Sequence, residues 1–265
     1  MKTYGRRIDE MVVAAPAAMK MALGENPKTV YHGKERAPCT RMATAALIRE
    51  QLEKAQRYRQ RKLDARFGEE KDEPAFDSKC EALIPVLEKT CKVQIHAHRA
   101  DDLFTAIRIA KEFDLDYVLV HATEGHRIAE ELCAEQAAVI AGPLLTDRSK
   151  PELRMLTPAG PGLLWSAGVE AAICTDHPVI PEQYLPLCAG LAVREGMEYD
   201  AALRAITIVP ARICGIDGRV GSRAPGKDAD ILLYERDPLS VYAKPALVIA
   251  GGKIRERRGG FVEKA

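Results

Sequence analysis

Aromatic residues are scarce, at 5% of the 265 residues, with a single tryptophan, Trp165. A protein that stacks nucleic-acid bases needs aromatic platforms, and this chain has too few to build them. An excess of either charge is also missing. Lys and Arg number 39 against 38 Asp and Glu, a formal net charge of +1. Neither nucleic acid nor a membrane surface is therefore an expected partner. No apolar run approaches membrane-spanning length. Glycine-rich phosphate loops of the GxGxxG and GxxxxGK(S/T) types are absent, which disfavours a nucleotide-binding module. No internal repeat stands out. Seven cysteines, Cys39, Cys80, Cys91, Cys133, Cys174, Cys188 and Cys214, are scattered without CxxC spacing. Their odd count in a chain of this length reads as buried free thiols in a reducing, cytoplasmic compartment. The opening MKTYGRRIDEMVVAAPAAMKMAL puts Arg6 and Arg7 before an apolar stretch, but Asp9, Glu10, Pro16 and Lys20 interrupt it. It is not read as a secretory leader.

What is there suits a buried core: 47% of the residues are apolar, enough for one barrel-sized domain with a small accessory layer. Short apolar runs alternate with helical segments. Strands are expected at Ala18–Leu23, Val93–His96, Tyr117–His121, Ala138–Ala141 and Val169–Thr175. The first is closed by a turn at Gly24-Glu25-Asn26-Pro27. Helices are expected at Ala43–Arg66, Cys80–Lys89, Ala100–Phe113, Gly125–Glu135, Leu163–Ala167, Pro186–Gly196 and Asp200–Thr207, with a loop at Phe67–Asp77. This alternation predicts an α/β fold with a parallel sheet, and repeated winding of one sheet leads toward a barrel. After Ile216 glycine and proline cluster, and strands at Ile231–Tyr234, Ala246–Ala250 and Lys253–Arg255 follow, the last two joined by a Gly251-Gly252 hairpin. The division is residues 1–216 for a partial barrel and 217–265 for part of a small β layer.

In parallel α/β barrels the chemistry sits at the carboxyl ends of strands. Three strands here end in residues of the right kinds: QIHAH with His96 and His98, VLVHATEGH with His121 and then His126, and AAICTDHP with Asp176 and His177. A single strand-end histidine is more often a hydrogen-bonded structural residue. Recurrence on three successive strands in one register is a metal-site pattern. Imidazole and carboxylate suit Zn2+ or a similar divalent ion, which lowers the pKa of a bound water. Asp176 is placed both to bind that ion and to take the proton from the water. His98 either faces the same side as His96 or supports a ligand from behind. His177 lines the pocket or points elsewhere, His126 reads as a solvated helix-start residue, and His32 has no supporting context. Arg99 meets either an anionic substrate group or an acidic neighbour at the rim.

The segments IHAHRADDLFTAIRIAKEFDLDYVLVHATEGHRIAEEL, AGVEAAICTDHP and VGSRAPGKDADILLYERDPL resemble the amidohydrolase superfamily, nearest to its imidazolonepropionase-like group. The resemblance covers essentially the whole chain. It implies a (β/α)8 barrel represented by about strands four to eight, followed by part of a small β-sandwich. It also implies a hydrolase of C–N bonds other than peptide bonds, acting on a small molecule with one or two metal ions. His96 matches the metal-site histidine of the fifth strand, His121 that of the sixth, and Asp176 the catalytic aspartate after the eighth. The sixth-strand histidine of this family binds metal or polarises the substrate carbonyl. Lys20 or Glu25 falls where binuclear members carry a bridging residue. The first-strand HxH pair of the family has no match, because only three strands follow His96 before Asp176. The expectation is a ligand set needing completion by an N-terminal half, and open strand edges that favour association, including with a second copy. The competing reading is a non-catalytic remnant or interaction protein that keeps the fold without metal.

Overall fold

The computed structural model describes residues 1–68 and 72–258. After one helical turn, α1 (Ile8–Met11), the chain runs β1 (Met19–Ala22), α2 (Glu25–His32), α3 (Arg41–Phe67), α4 (Ser78–Leu87), β2 (Val93–Ala97), α5 (Ala100–Glu112) and β3 (Tyr117–His121). It continues through α6 (Ala129–Ala134), β4 (Ala138–Ala141), α7 (Gly160–Ser166), β5 (Ala171–Ile173), α8 (Leu185–Arg194), α9 (Tyr199–Ala205) and α10 (Ile208–Ile213). Three strands close the described chain: β6 (Ile231–Leu233), β7 (Leu247–Ala250) and β8 (Lys253–Arg257). The fold is α/β, with a five-stranded parallel sheet in the order β1-β2-β3-β4-β5 and an antiparallel β6-β7-β8 sheet. Among the described residues no helix is long and apolar enough to cross a membrane.

Two compact units divide the chain. The first comprises Pro16–Val139 with Ser149–Met155. Its long helix α3 is written in good helix formers, is capped by Thr40 Oγ1 on the Ala43 N–H at 3.1 Å, and stops at Gly68 in the left-handed conformation, φ +80°. Asp77 caps α4 by accepting from the N–H groups of Lys79 and Cys80 at 3.0 and 3.1 Å. The two helices meet through Ala55, Tyr58 and Cys80, and the Tyr58 hydroxyl donates to Glu81 at 2.6 Å. Helix α5 turns Leu103, Ala106, Ile107 and Ala110 inward at helical spacing, and all four are buried. Leu103 is fully enclosed, so Leu103→Ala is expected to destabilise this unit by about 2–5 kcal/mol. A lowered urea midpoint checks this, and an unmoved midpoint contradicts the packing described.

The second unit comprises Met1–Ala15, Ile140–Arg148 and the chain from Leu156 onward. Its core gathers Ile173, Cys188, Ala189, Ala192, Met197, Ala202 and Leu239. Small residues predominate, which lets α8 and α9 approach closely. Lys2 is buried and pairs with Asp228 at 2.7 Å and with Asp230, tying the first residues to the segment before β6.

Several elements differ from the expectation. Gly24-Glu25-Asn26-Pro27 is not a free turn: Gly24 precedes α2, and Pro27 falls in its first turn, where a missing N–H costs nothing. Pro210 sits the same way in α10, a helix the reading omits. The segment Gly125–Glu135 breaks at Ile128 into a 3-10 turn, Gly125–Arg127, and α6. Phe67 closes α3 rather than opening the loop, and of that loop residues 69–71 lie outside the described residues, as do 259–265 of the terminal segment.

Candidate metal centre

Strand β2 pairs with β3 so that His96 stands opposite Val120 and Ala97 opposite His121. Paired residues in a parallel ladder share a face, so register alone would put His96 and His121 on opposite faces. The expected common register is therefore off by one. His121 has φ +78° and Ala122 φ +44°, conformations that residues with a Cβ adopt rarely. The alternation breaks there, and the His121 ring joins the others. Ring centroids of His96 and His121 lie 4.5 Å apart, those of His98 and His121 4.7 Å, and those of His96 and His98 4.7 Å. One ligand nitrogen from each of the three comes within 4.8 Å of the other two. Strained backbone at a cluster of polar side chains is a mark of a functional site.

All three rings are buried. Burial, reinforced by the charge of His121, lowers the His96 pKa to about 3 and that of His98 to about 2. Both are neutral imidazoles at neutral pH, the form a metal needs. His98 Nδ1 meets Thr123 Oγ1 at 2.8 Å. The buried His96 Nε2 has no hydrogen-bond partner. An unsatisfied buried nitrogen is costly, and a divalent ion would satisfy it. The donor set fits such an ion.

Beside the imidazoles lies a carboxylate network that no periodicity reveals. Asp102, in the first turn of α5, accepts both its hydrogen bonds from Arg41 Nε, at 3.2 and 3.0 Å. The Arg41 guanidinium also reaches Glu25 at 3.1 Å. Glu152, on a 3-10 turn at Pro151–Leu153, is buried, and its Oε2 accepts the Glu25 N–H at 2.9 Å. Burial pushes both the Asp102 and the Glu152 carboxyl above the usual range. Gly24 makes room for them. It has φ +78°, and a Cβ there would stand 2.7 Å from Glu152 Oε2 and 3.2 Å from Asp102 Oδ2. Gly24→Ala is expected to destabilise the protein by about 1–3 kcal/mol. Urea unfolding measures it, and wild-type stability in that variant would mean the two carboxylates are not packed against residue 24.

The remaining expected residues are placed as follows. Lys20 pairs in register with Gln94 on β1 and is exposed, and its charge contributes to the lowered His96 pKa. Arg99 forks onto Asp101 with two bonds of 2.9 Å. His126 is half-buried rather than solvated, and its lowered pKa reflects that burial. His32 is exposed at the end of α2. Asp176 and His177 follow β5 in the second unit, both exposed, with Asp176 at φ +54°. The clustered donors among the described residues are the three histidines.

An α/β fold with a buried histidine cluster at strand ends is an arrangement that could hold a metal ion. Residues 7–255 match the amidohydrolase family, and the chain belongs to it. It is 31% identical over 248 residues to amidohydrolase tasK of Hapsidospora irregularis, covering 88% of this chain and 25% of that protein. An amidohydrolase structure from Thermotoga maritima MSB8 superposes with a TM-score of 0.92 at 39% identity, covering 96% of this chain and 66% of that one. The chain thus spans a quarter of tasK and under two thirds of the Thermotoga chain. An ochratoxinase structure from A. niger, at 22% identity and a TM-score of 0.52 over 69% of this chain, shares the fold alone.

Proposed function

We propose that the protein acts in metal-dependent hydrolysis of C–N bonds in small molecules, non-peptide or cyclic amides among them, with Zn2+ as the ion. In this reading β1 to β5 correspond to strands four to eight of a (β/α)8 barrel. Residues from Asp217 onward belong to a small β-sandwich, and the compartment is the cytoplasm. The observation that carries the reading is the buried cluster of His96, His98 and His121, with His96 and His98 neutral and one nitrogen orphaned. A divalent ion bound there supplies Lewis acidity and a lowered pKa for the attacking water. The chain's own part is to hold His96 and His98 uncharged, to orient the His98 ring through Thr123, and to exclude bulk water around the rings. In this proposal Asp176 takes the water's proton and returns it to the leaving nitrogen. His121 either binds the ion or polarises the substrate carbonyl.

The test is the metal content of the purified protein by elemental analysis after incubation with Zn2+ and gel filtration. We expect one ion per chain, removed by a chelator and restored by Zn2+. Absence of bound ion at saturating Zn2+ overturns the metal reading and leaves the fold as a non-catalytic interaction module.

A further inference from the structure

We propose that Glu152 is an oxygen ligand of the cation held by this histidine cluster, delivered by the Pro151–Leu153 turn rather than by a strand end. The inference rests on the metal reading above and extends its donor set.

The two carboxylate oxygens of Glu152 are treated differently by their surroundings. The side chain is 0% exposed. Oε2 is anchored on the Glu25 N–H at 2.9 Å, in the space that Gly24 leaves by having no Cβ. Oε1 is buried and has no hydrogen-bond partner. Two nitrogens near it both stand off: His98 Nε2 at 3.7 Å and Lys150 Nζ at 3.6 Å. Both separations exceed hydrogen-bonding range. Lys150 is engaged elsewhere, donating to Asn26 Oδ1 at 2.5 Å. Asp102, the other buried carboxylate nearby, is by contrast satisfied by Arg41 on both oxygens.

A separation of 3.7 Å is poor for a hydrogen bond and natural for two donors flanking one ion. Donors each about 2.1 Å from a zinc-sized cation stand roughly 3 to 4 Å apart. The pair His98 Nε2 and Glu152 Oε1 has that spacing, and His98 shares the histidine cluster with His96, whose Nε2 is unpartnered. Charge supports the assignment as well. Imidazoles bring no negative charge to a dication, and a buried carboxylate supplies it without inviting water.

The experiment is titration of the full chain with Co2+, following heat and the visible ligand-field spectrum, for wild type, Glu152→Gln and His96→Ala. Glu152→Gln keeps the shape and removes the charge. We expect it to weaken Co2+ at least tenfold and to alter the spectrum, with the thermal midpoint of the metal-free protein little changed. Unaltered affinity and spectrum in Glu152→Gln, with binding lost in His96→Ala, overturns this proposal while the histidine site stands. No Co2+ binding by wild type overturns both. Should Glu152→Gln fail to fold, anomalous diffraction from wild-type crystals soaked in Co2+ decides. An ion about 2.0–2.2 Å from Oε1 supports ligation, and an ion on the histidines out of reach of Oε1 refutes it.

Discussion

His96→Ala and Asp176→Asn are expected to fail in different ways. His96→Ala removes a buried imidazole whose Nε2 has no other partner. Because the remaining donors cannot move into the space left by a packed ring, Zn2+ affinity is expected to fall by about a hundredfold or more, beyond the 10- to 100-fold typical of losing a supporting partner. Asp176→Asn changes an exposed residue after β5, and the ion is expected to stay within about tenfold of wild-type affinity. In the proposed reaction it removes the proton acceptor, and general-base catalysis contributes about 10²–10⁴ to the rate. A hydrolysed C–N substrate should therefore turn over about 10²–10⁴ times more slowly in Asp176→Asn at saturating Zn2+. Calorimetry reads the first effect and steady-state kinetics the second. Full turnover in Asp176→Asn would remove that residue from the proton path. Undiminished metal affinity in His96→Ala would move the ion away from the cluster.

Much of this was legible in the sequence because the signals were local. Tyr117–His121 and Ala138–Ala141 are strands with the bounds their apolar runs suggest, and Gly251-Gly252 closes a hairpin as its turn chemistry requires. The histidines ending β2 and β3 could be read as rim residues because strand ends are where barrels keep their polar groups. The rest depends on context. Gly24-Glu25-Asn26-Pro27 carries the tokens of a turn and of a helix start alike, and only packing decides between them. The one-residue offset between His96 and His121 is invisible without the ladder, since both strands are apolar on either face. Glu152 is the plainest omission. A glutamate after Lys-Pro looks solvated, and what buries it is a glycine 128 positions away, φ +78°, with no Cβ to exclude the carboxylate. Proline at residue 151 hinted at a turn, but no sequence period points that turn inward.

The metal-free protein is expected to be acid-sensitive from pH 6.5 downward, and His98→Asn is expected to relieve it. The folded pKa values of His96 and His98, about 3 and about 2, lie below the unfolded value of 6.5. Between these limits the unfolded chain binds protons that the folded chain refuses, so stability falls as pH falls. Each imidazole costs about 1.4 kcal/mol per pH unit below 6.5, and the two together about 2.7. A domain holding about 5–15 kcal/mol would exhaust much of that within a few units. Asp102 and Glu152 act in the opposite sense. Their folded pKa values are raised by burial, so the folded state takes up their protons more readily and regains stability as they protonate. They soften the loss at the acid end without cancelling it, because the histidine window opens at higher pH. Unfolding followed by circular dichroism should therefore have its midpoint at or below about pH 4.6. Asparagine at position 98 keeps a polar atom near Thr123 Oγ1 and removes one titrating ring. Its acid midpoint should drop by about two pH units or more. A midpoint identical to wild type would mean that the His98 ring takes its proton without leaving the folded state. The cluster would then be open to water, and its neutral imidazoles would no longer be a consequence of burial.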